Sequence, residues 1–155
     1  MRDPLTYCLV LIKKRLRSRY ELDQAMKRHE VEDEKRDEVL QVLTEQGLVN
    51  DTAYARAWVH TRDRLAPRGA AVLRQELMLK GIGKEIISEV LAERREQSED
   101  EEDEQPTEDE LARRLMAGKE RLYANLTPEV RKRRLMAFLQ RRGFSYDVIR
   151  RILDA

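Results

Sequence analysis

Apolar residues recur at helical spacing along this chain, and one arrangement of them occurs twice without a gap. In residues 73–91 and again in 135–153, Leu stands at the first, fifth and last positions and Gly at the ninth. Leucines four positions apart lie on one face of a helix, and Gly81 and Gly143 fit a helix end in the left-handed conformation. The repeated unit is therefore predicted to be a helix, a tight turn and a second helix.

A weaker copy of the unit occupies residues 22–40. Leu22 and Met26 take the first two leucine positions, Glu30 stands at the turn instead of glycine, and Arg36 replaces an isoleucine of the other copies. Terminal units of a repeat are often atypical because they have a neighbour on one side only. We interpret the chain as three copies of the unit, the first of them degenerate.

Another amphipathic stretch precedes each copy, at residues 4–16, 52–65 and 108–122. Ser18 with Glu21, and Thr107 with Glu110, have the spacing of capping boxes, which mark helix starts. Residues with β-branched side chains are sparse and do not alternate over a useful length, so strands are not expected. The predicted fold is all-α. Its three tandem three-helix modules are predicted at residues 1–50, 51–95 and 107–155.

The start of the middle module carries further local signals. Gly47 is a fitting end for one helix, and Asp51 is predicted to be the N-cap of the next. Tyr54 and Trp58, four positions apart, share one face of that helix. We favour a core position for both rings over base stacking, since aromatic residues at helical spacing usually face the interior.

Composition adds few constraints. The chain has 155 residues, 41% of them hydrophobic, and no signal peptide or apolar run of transmembrane length is recognisable, so we expect a cytoplasmic protein that does not contact membranes. The first helix is predicted to bury a stripe formed by Leu5, Leu9, Ile12 and Leu16. Cys8, the single cysteine, lies on the same apolar side, and we expect it to be a buried structural thiol.

The net charge of +1 conceals a strong asymmetry along the chain. Residues 96–110 hold ten acidic residues and no basic one, whereas residues 111–155 hold twelve basic residues against four acidic ones. The segment 96–106 is predicted to be a flexible acidic linker between the second and third modules. A weak electrostatic screen that folds back over basic surface is the alternative.

Motifs of catalysis and of metal or cofactor binding are missing from the sequence. There is no Gly-rich phosphate loop, no HExxH and no CxxC, and His29 and His60 are the only histidines. A metal site would require these histidines and acidic residues from separate modules to converge. We therefore expect neither an enzyme nor a protein that holds a cofactor or metal.

Basic residues are the more informative candidates. Several cluster near the junction of two helices in the middle module, and four are consecutive in the third, so that they surround a helix and cannot all face a core. Two interpretations remain open: ordinary surface charge, or contact with an anionic polymer or an acidic partner. The candidate contact residues are Arg56, Arg62, Arg64, Arg68, Arg74, Lys80, Lys84, Arg131, Lys132, Arg134, Arg141 and Arg142.

Several segments of this sequence resemble those of the RecX regulators of bacterial recombination. The string GLVNDTAYARAWVHTR, residues 47–62, is similar to a signature of that family. Further similarity lies in Gly69, Glu76-Leu77 and Lys80-Gly81-Ile82, in SRYEL at residues 18–22, and in FLQRRGFSYDVIRRIL at residues 138–153. The resemblance covers nearly the whole chain. Two of the candidate contact residues, Arg62 and Lys80, occupy positions of the family pattern.

The resemblance implies three tandem three-helix modules in an elongated, curved row, without enzymatic activity. It also implies binding to the RecA filament on single-stranded DNA and inhibition of the recombinase, by a chain we expect to be monomeric. The degenerate first module and the acidic insertion depart from the family pattern. Two alternatives are retained: a helical-repeat module that binds nucleic acid through its phosphates, and a protein–protein scaffold unrelated to DNA.

Overall fold

A computed structural model describes residues 3–97 and 106–155. Within these ranges the chain forms helices and no strand, which confirms the prediction of an all-α fold. In chain order the helices are α1 (Pro4–Lys14), α2 (Arg19–Arg28), α3 (Asp33–Glu45), α4 (Asp51–Leu65), α5 (Ala70–Leu79), α6 (Lys84–Gln97), α7 (Glu108–Tyr123), α8 (Pro128–Arg141) and α9 (Tyr146–Leu153).

Capping side chains set most of the helix starts. The capping boxes predicted at Ser18 and Thr107 are both present, with the hydroxyl of each accepting the N–H three residues on. The prediction for α4 was wrong by one residue, since the side chain of Asn50 accepts the Ala53 N–H at 3.0 Å. Asp51 instead accepts the backbone N–H of Arg19 at 2.9 Å, so it links α4 to the start of α2.

Left-handed residues close the first helix of all three repeated units. Gly81 has φ of 75° and Gly143 has φ of 92°, as the spacing predicts. Glu30, at the equivalent turn of the first copy, adopts φ of 57° although it has a side chain. Arg36, which replaces the buried isoleucine, lies against the turn and binds Asp23 (2.9 Å), Asp33 and the Val31 carbonyl. The degenerate copy therefore has the same left-handed backbone conformation at its turn as the other two copies.

Each group of three helices encloses a core of its own. The first core includes Cys8, which is fully buried, and burial raises the pKa of this thiol to about 11. This confirms the structural thiol, but the stripe predicted for α1 was partly wrong: Leu9 and Leu16 are 40% and 54% exposed. The helix ends at Lys14, so Leu16 lies beyond it. The helix pairs that pack extensively all lie within one group, so we use the term module for α1–α3, α4–α6 and α7–α9.

Two equivalent joints connect the modules. In the first joint, the Ser18 hydroxyl donates to the carbonyl of Lys80 at 2.7 Å. In the second joint, the Gly69 N–H donates to the carbonyl of Arg142 at 2.8 Å. Ser18 and Gly69 occupy the same position in successive units, as do Lys80 and Arg142. The start of the middle helix in one module therefore lies against the glycine turn of the next module.

The acidic segment is only partly within the described residues. Glu96 and Gln97, which the sequence assigns to the linker, belong to the last turn of α6. Residues 98–105, where the rest of the predicted linker falls, lie outside the described ranges. None of the helices described is long and apolar enough to cross a membrane.

Candidate functional site

Three of the candidate basic residues come together at the second joint. We call Arg62, Arg68 and Arg142 the joint cluster. Arg68 is half-buried, and its guanidinium donates to the carbonyls of Ala66 and Pro67 in its own loop. Burial lowers the pKa of Arg68, and repulsion from Arg142 and then Arg62 lowers it further. The Glu76 carboxylate, which pairs with Arg62, offsets part of this repulsion, and the site keeps an excess of positive charge that a bound anion would balance.

A buried ion pair fixes the backbone beneath the joint cluster. Arg94 on α6 binds Asp63 on α4 through two contacts, at 2.7 and 3.0 Å, and also donates to the Arg68 carbonyl at 3.0 Å. Burial raises the pKa of Asp63, an effect that Arg94 opposes. Sequence reasoning missed this pair because its members are 31 positions apart and no local spacing connects them.

Trp58 lies at the centre of a second group of charges. The Arg62 guanidinium is 5.0 Å and the Lys80 ammonium 5.2 Å from the centre of its ring, both within the range of cation–π attraction. The indole N–H donates to Glu76 at 2.8 Å, and Arg62 donates to the same carboxylate at 3.0 Å. Lys80 also pairs with Glu21 of the first module at 3.4 Å. The orientation of the Trp58 ring is therefore fixed from several sides.

Four candidate residues are engaged within the chain. Arg56 forms a two-point ion pair with Glu93, at 2.6 and 2.8 Å. Arg131 donates to carbonyls at the end of α7, including those of Tyr123 and Ala124, so it holds the α7–α8 connection. The others are Lys132, which pairs with Asp154, and Arg134, which lies 5.9 Å from the centre of the Tyr123 ring.

Four further candidates are exposed on the surface. Within residues 3–97 and 106–155 they form no hydrogen bond or ion pair, so their charge is available to a partner. They are Arg64, Arg74, Lys84 and Arg141. In the part of the chain that the structure describes, no group of His, Cys, Asp and Glu is arranged to hold a metal ion.

Comparison with known proteins finds matches to one protein family. Models of the second and third three-helix domains of RecX match residues 50–91 and 107–153. The regulatory protein RecX of Streptomyces coelicolor is 32% identical, over 98% of this chain and 78% of its own length. The chain belongs to the RecX family of regulatory proteins. The RecX of Mycolicibacterium smegmatis is 35% identical, over 92% of this chain and 75% of its own.

Solved structures of RecX proteins share the fold. The crystal structure of RecX from Lactobacillus salivarius has a TM-score of 0.85, covering 97% of this chain and 92% of that one. At 22% identity, this likeness concerns the fold alone. A second crystal structure, of a regulatory protein RecX, has a TM-score of 0.83 at 26% identity and covers 98% of this chain and 70% of that one.

Proposed function

We propose that this RecX-family chain binds RecA filaments assembled on single-stranded DNA and inhibits the recombinase. In this proposal the protein is a non-catalytic regulator that lowers filament growth, ATP hydrolysis and strand exchange. In this proposal it acts in the cytoplasm. It is a monomer, since each module encloses a core of its own. Family membership supports the regulatory role, and the joint cluster supports an anionic partner.

The observation that carries the proposal is the convergence of Arg62, Arg68 and Arg142 from two modules. Arg142 and Arg62 both repel the half-buried Arg68, and the Glu76 carboxylate that pairs with Arg62 offsets only part of this repulsion. The cluster therefore favours a ligand with negative charge, and guanidinium groups bind phosphates with paired donors. Arg64 on α4, Arg74 on α5 and Arg141 at the end of α8 add exposed positive charge to the same two modules. Many weak contacts along an array of modules suit a repeating polymer better than a single small ligand.

The direct test measures ATP hydrolysis by RecA on single-stranded DNA during a titration with this protein. The wild-type chain is expected to inhibit, and the double reversal Arg68→Glu/Arg142→Glu is expected to weaken inhibition by roughly tenfold or more, because it removes charge that contacts phosphate or acidic protein. Lys27→Glu/Arg28→Glu makes the same charge change at exposed sites on the first module and serves as the control. Circular dichroism checks that both variants keep their helices.

Two outcomes would replace this proposal with another. Unchanged RecA activity, together with bare-DNA binding that falls steeply with salt, would indicate a general nucleic-acid-binding module. Partner binding that survives reversal of Arg64, Arg68 and Arg134 would indicate a protein–protein scaffold.

A further inference from the structure

An open groove lies between the first and second modules, on the side of α4 that carries Trp58. Its volume is about 470 Å³, within the usual range for ligand sites, and its lining is mainly apolar. Leu65 at its wall is 70% exposed and Leu16, from the α1–α2 connection, is 54% exposed. The lining residues are Arg15, Leu16, Tyr54, Ala57, Trp58, Thr61, Arg62, Leu65 and Ala66.

Two buried polar groups lie near this groove. The Arg17 Nε has no hydrogen-bond partner within the described part of the chain, and the Tyr54 hydroxyl, which is buried as well, lies within reach of Arg15. Burial and the nearby Glu21 carboxylate raise the pKa of Tyr54, so its hydroxyl keeps its proton. Since both atoms are closed to solvent, the chemistry open to a ligand in the groove is that of the other lining residues.

The groove also combines an aromatic ring with positive charge. Arg62 both lines the groove and lies over the Trp58 ring, so a planar ligand that enters here meets the guanidinium and the indole together. Arg15 lies at the groove as well, where Glu21 orients it through contacts at 3.1 and 3.2 Å. Aromatic rings and guanidinium planes both stack with nucleobases, while neighbouring cations bind the phosphates.

We infer that this groove holds one unpaired base of a single-stranded nucleic acid. The base packs between Leu65 and the Trp58 side of the groove, and Arg15 and Arg62 bind the flanking phosphates. An acidic peptide with an aliphatic anchor is less suited, because it makes no use of an oriented aromatic ring. The inference rests on the proposed function in one respect: there the strand is the DNA of the filament.

Trp58 is the only tryptophan of the chain, so its fluorescence reports directly on the groove. The probes are oligothymidylate and an abasic strand of the same length, which carries the same phosphates without bases. Oligothymidylate is expected to quench Trp58 emission at saturation. The abasic strand is expected to bind roughly 5- to 150-fold more weakly in anisotropy measurements and to leave the emission nearly unchanged.

Paired variants separate the groove from general charge. Ala57→Phe fills the groove and is expected to abolish the advantage of oligothymidylate over the abasic strand, whereas Ala53→Phe places the same ring on an exposed part of α4 and is expected to have no effect.

Different results would contradict the base site and the proposed function. Equal affinity for the two strands, without base-dependent quenching, would overturn the base site even if RecA inhibition is intact. Quenching by poly-glutamate to the same extent as by oligothymidylate would also overturn it, in favour of an acidic peptide. Base-dependent quenching in a protein that does not affect RecA would support the groove and contradict the proposed function.

Discussion

Replacement of Gly69 by alanine should open the second joint. A Cβ atom at this position would lie 2.1 Å from the Gly143 carbonyl carbon, 2.2 Å from its oxygen and 2.3 Å from the Phe144 nitrogen. All three are backbone atoms, so no side chain can rotate away to make room. The backbones of α5 and the α8–α9 turn must therefore separate.

The cost can be worked out from the contacts at the joint. Separation breaks the Gly69 N–H bond to Arg142, at 2.8 Å, and the longer Ala71 N–H bond to Gly143, at 3.4 Å. Each such bond contributes about 0.5–1.5 kcal/mol net, and backbone crowding that persists costs about 1–3 kcal/mol. We expect Gly69→Ala to lower the free energy of unfolding by about 2–6 kcal/mol.

Urea denaturation followed by helical circular dichroism measures this loss, and Gly118→Ala is a matched control. Gly118 lies inside α7, and an added Cβ there meets nothing within 4 Å. Because alanine is the better helix former, the control should gain about 0.5–1 kcal/mol. A loss at position 69 below about 0.5 kcal/mol would refute the reasoning, since it would mean that the joint relaxes freely.

Three further outcomes follow from buried or strained groups. Arg94→Met should lower the free energy of unfolding by about 3–5 kcal/mol in thermal melts, because it leaves Asp63 buried without its ion pair. The double variant Asp63→Leu/Arg94→Met should recover most of that stability. Equal losses of stability in the two variants would contradict this expectation. The loss in Arg94→Met should shrink as the pH falls toward the usual pKa of Asp, since burial raises the pKa of Asp63 and the folded state then takes up the proton first. Glu30→Gly should stabilise the first module by about 0.5–1 kcal/mol in urea, because it relieves a left-handed residue that has a side chain; a loss would show that the Glu30 side chain contributes.

Local chemistry was predictable from the sequence wherever neighbouring residues determine it. The capping boxes at Ser18 and Thr107 and the left-handed turns at Gly81 and Gly143 each involve residues at most a few positions apart. The N-cap of α4 was misplaced because Asn50 and Asp51 are adjacent and both are good caps. Asn50 is the cap because the Asp51 carboxylate accepts the Arg19 N–H instead, and no local pattern indicates this contact between modules.

The candidate site was predictable in residue type but not in arrangement. Tyr54 and Trp58 share a helical face in the sequence, yet Tyr54 is buried in the core whereas Trp58 is only partly buried and lines the groove. Residues four positions apart differ by about 40° around the helix axis, which is enough to place one ring in the core and the other at its edge. The division of the arginines between internal pairs, as for Arg56, and the joint cluster depends on contacts between distant residues.

Two positions determine where a joint forms: the start of a middle helix and the turn residue of the module that it meets. Each joint sets the N-terminal end of one middle helix, α2 or α5, against the C-terminal carbonyls of the next, so that the helix dipoles of α8, α5 and α2 attract head to tail. Close approach requires a turn residue without a Cβ atom: at Gly81 that atom would lie 2.2 Å from the Tyr20 Cβ. The first module has Glu30 at this turn, with its Cβ in the left-handed position. In the third module α8 begins at Pro128, three residues before the position equivalent to Gly69, so that position lies inside the helix. Residues 30 and 131 therefore differ from their equivalents at the two joints, Gly81 and Gly143 at the turn and Ser18 and Gly69 at the helix start.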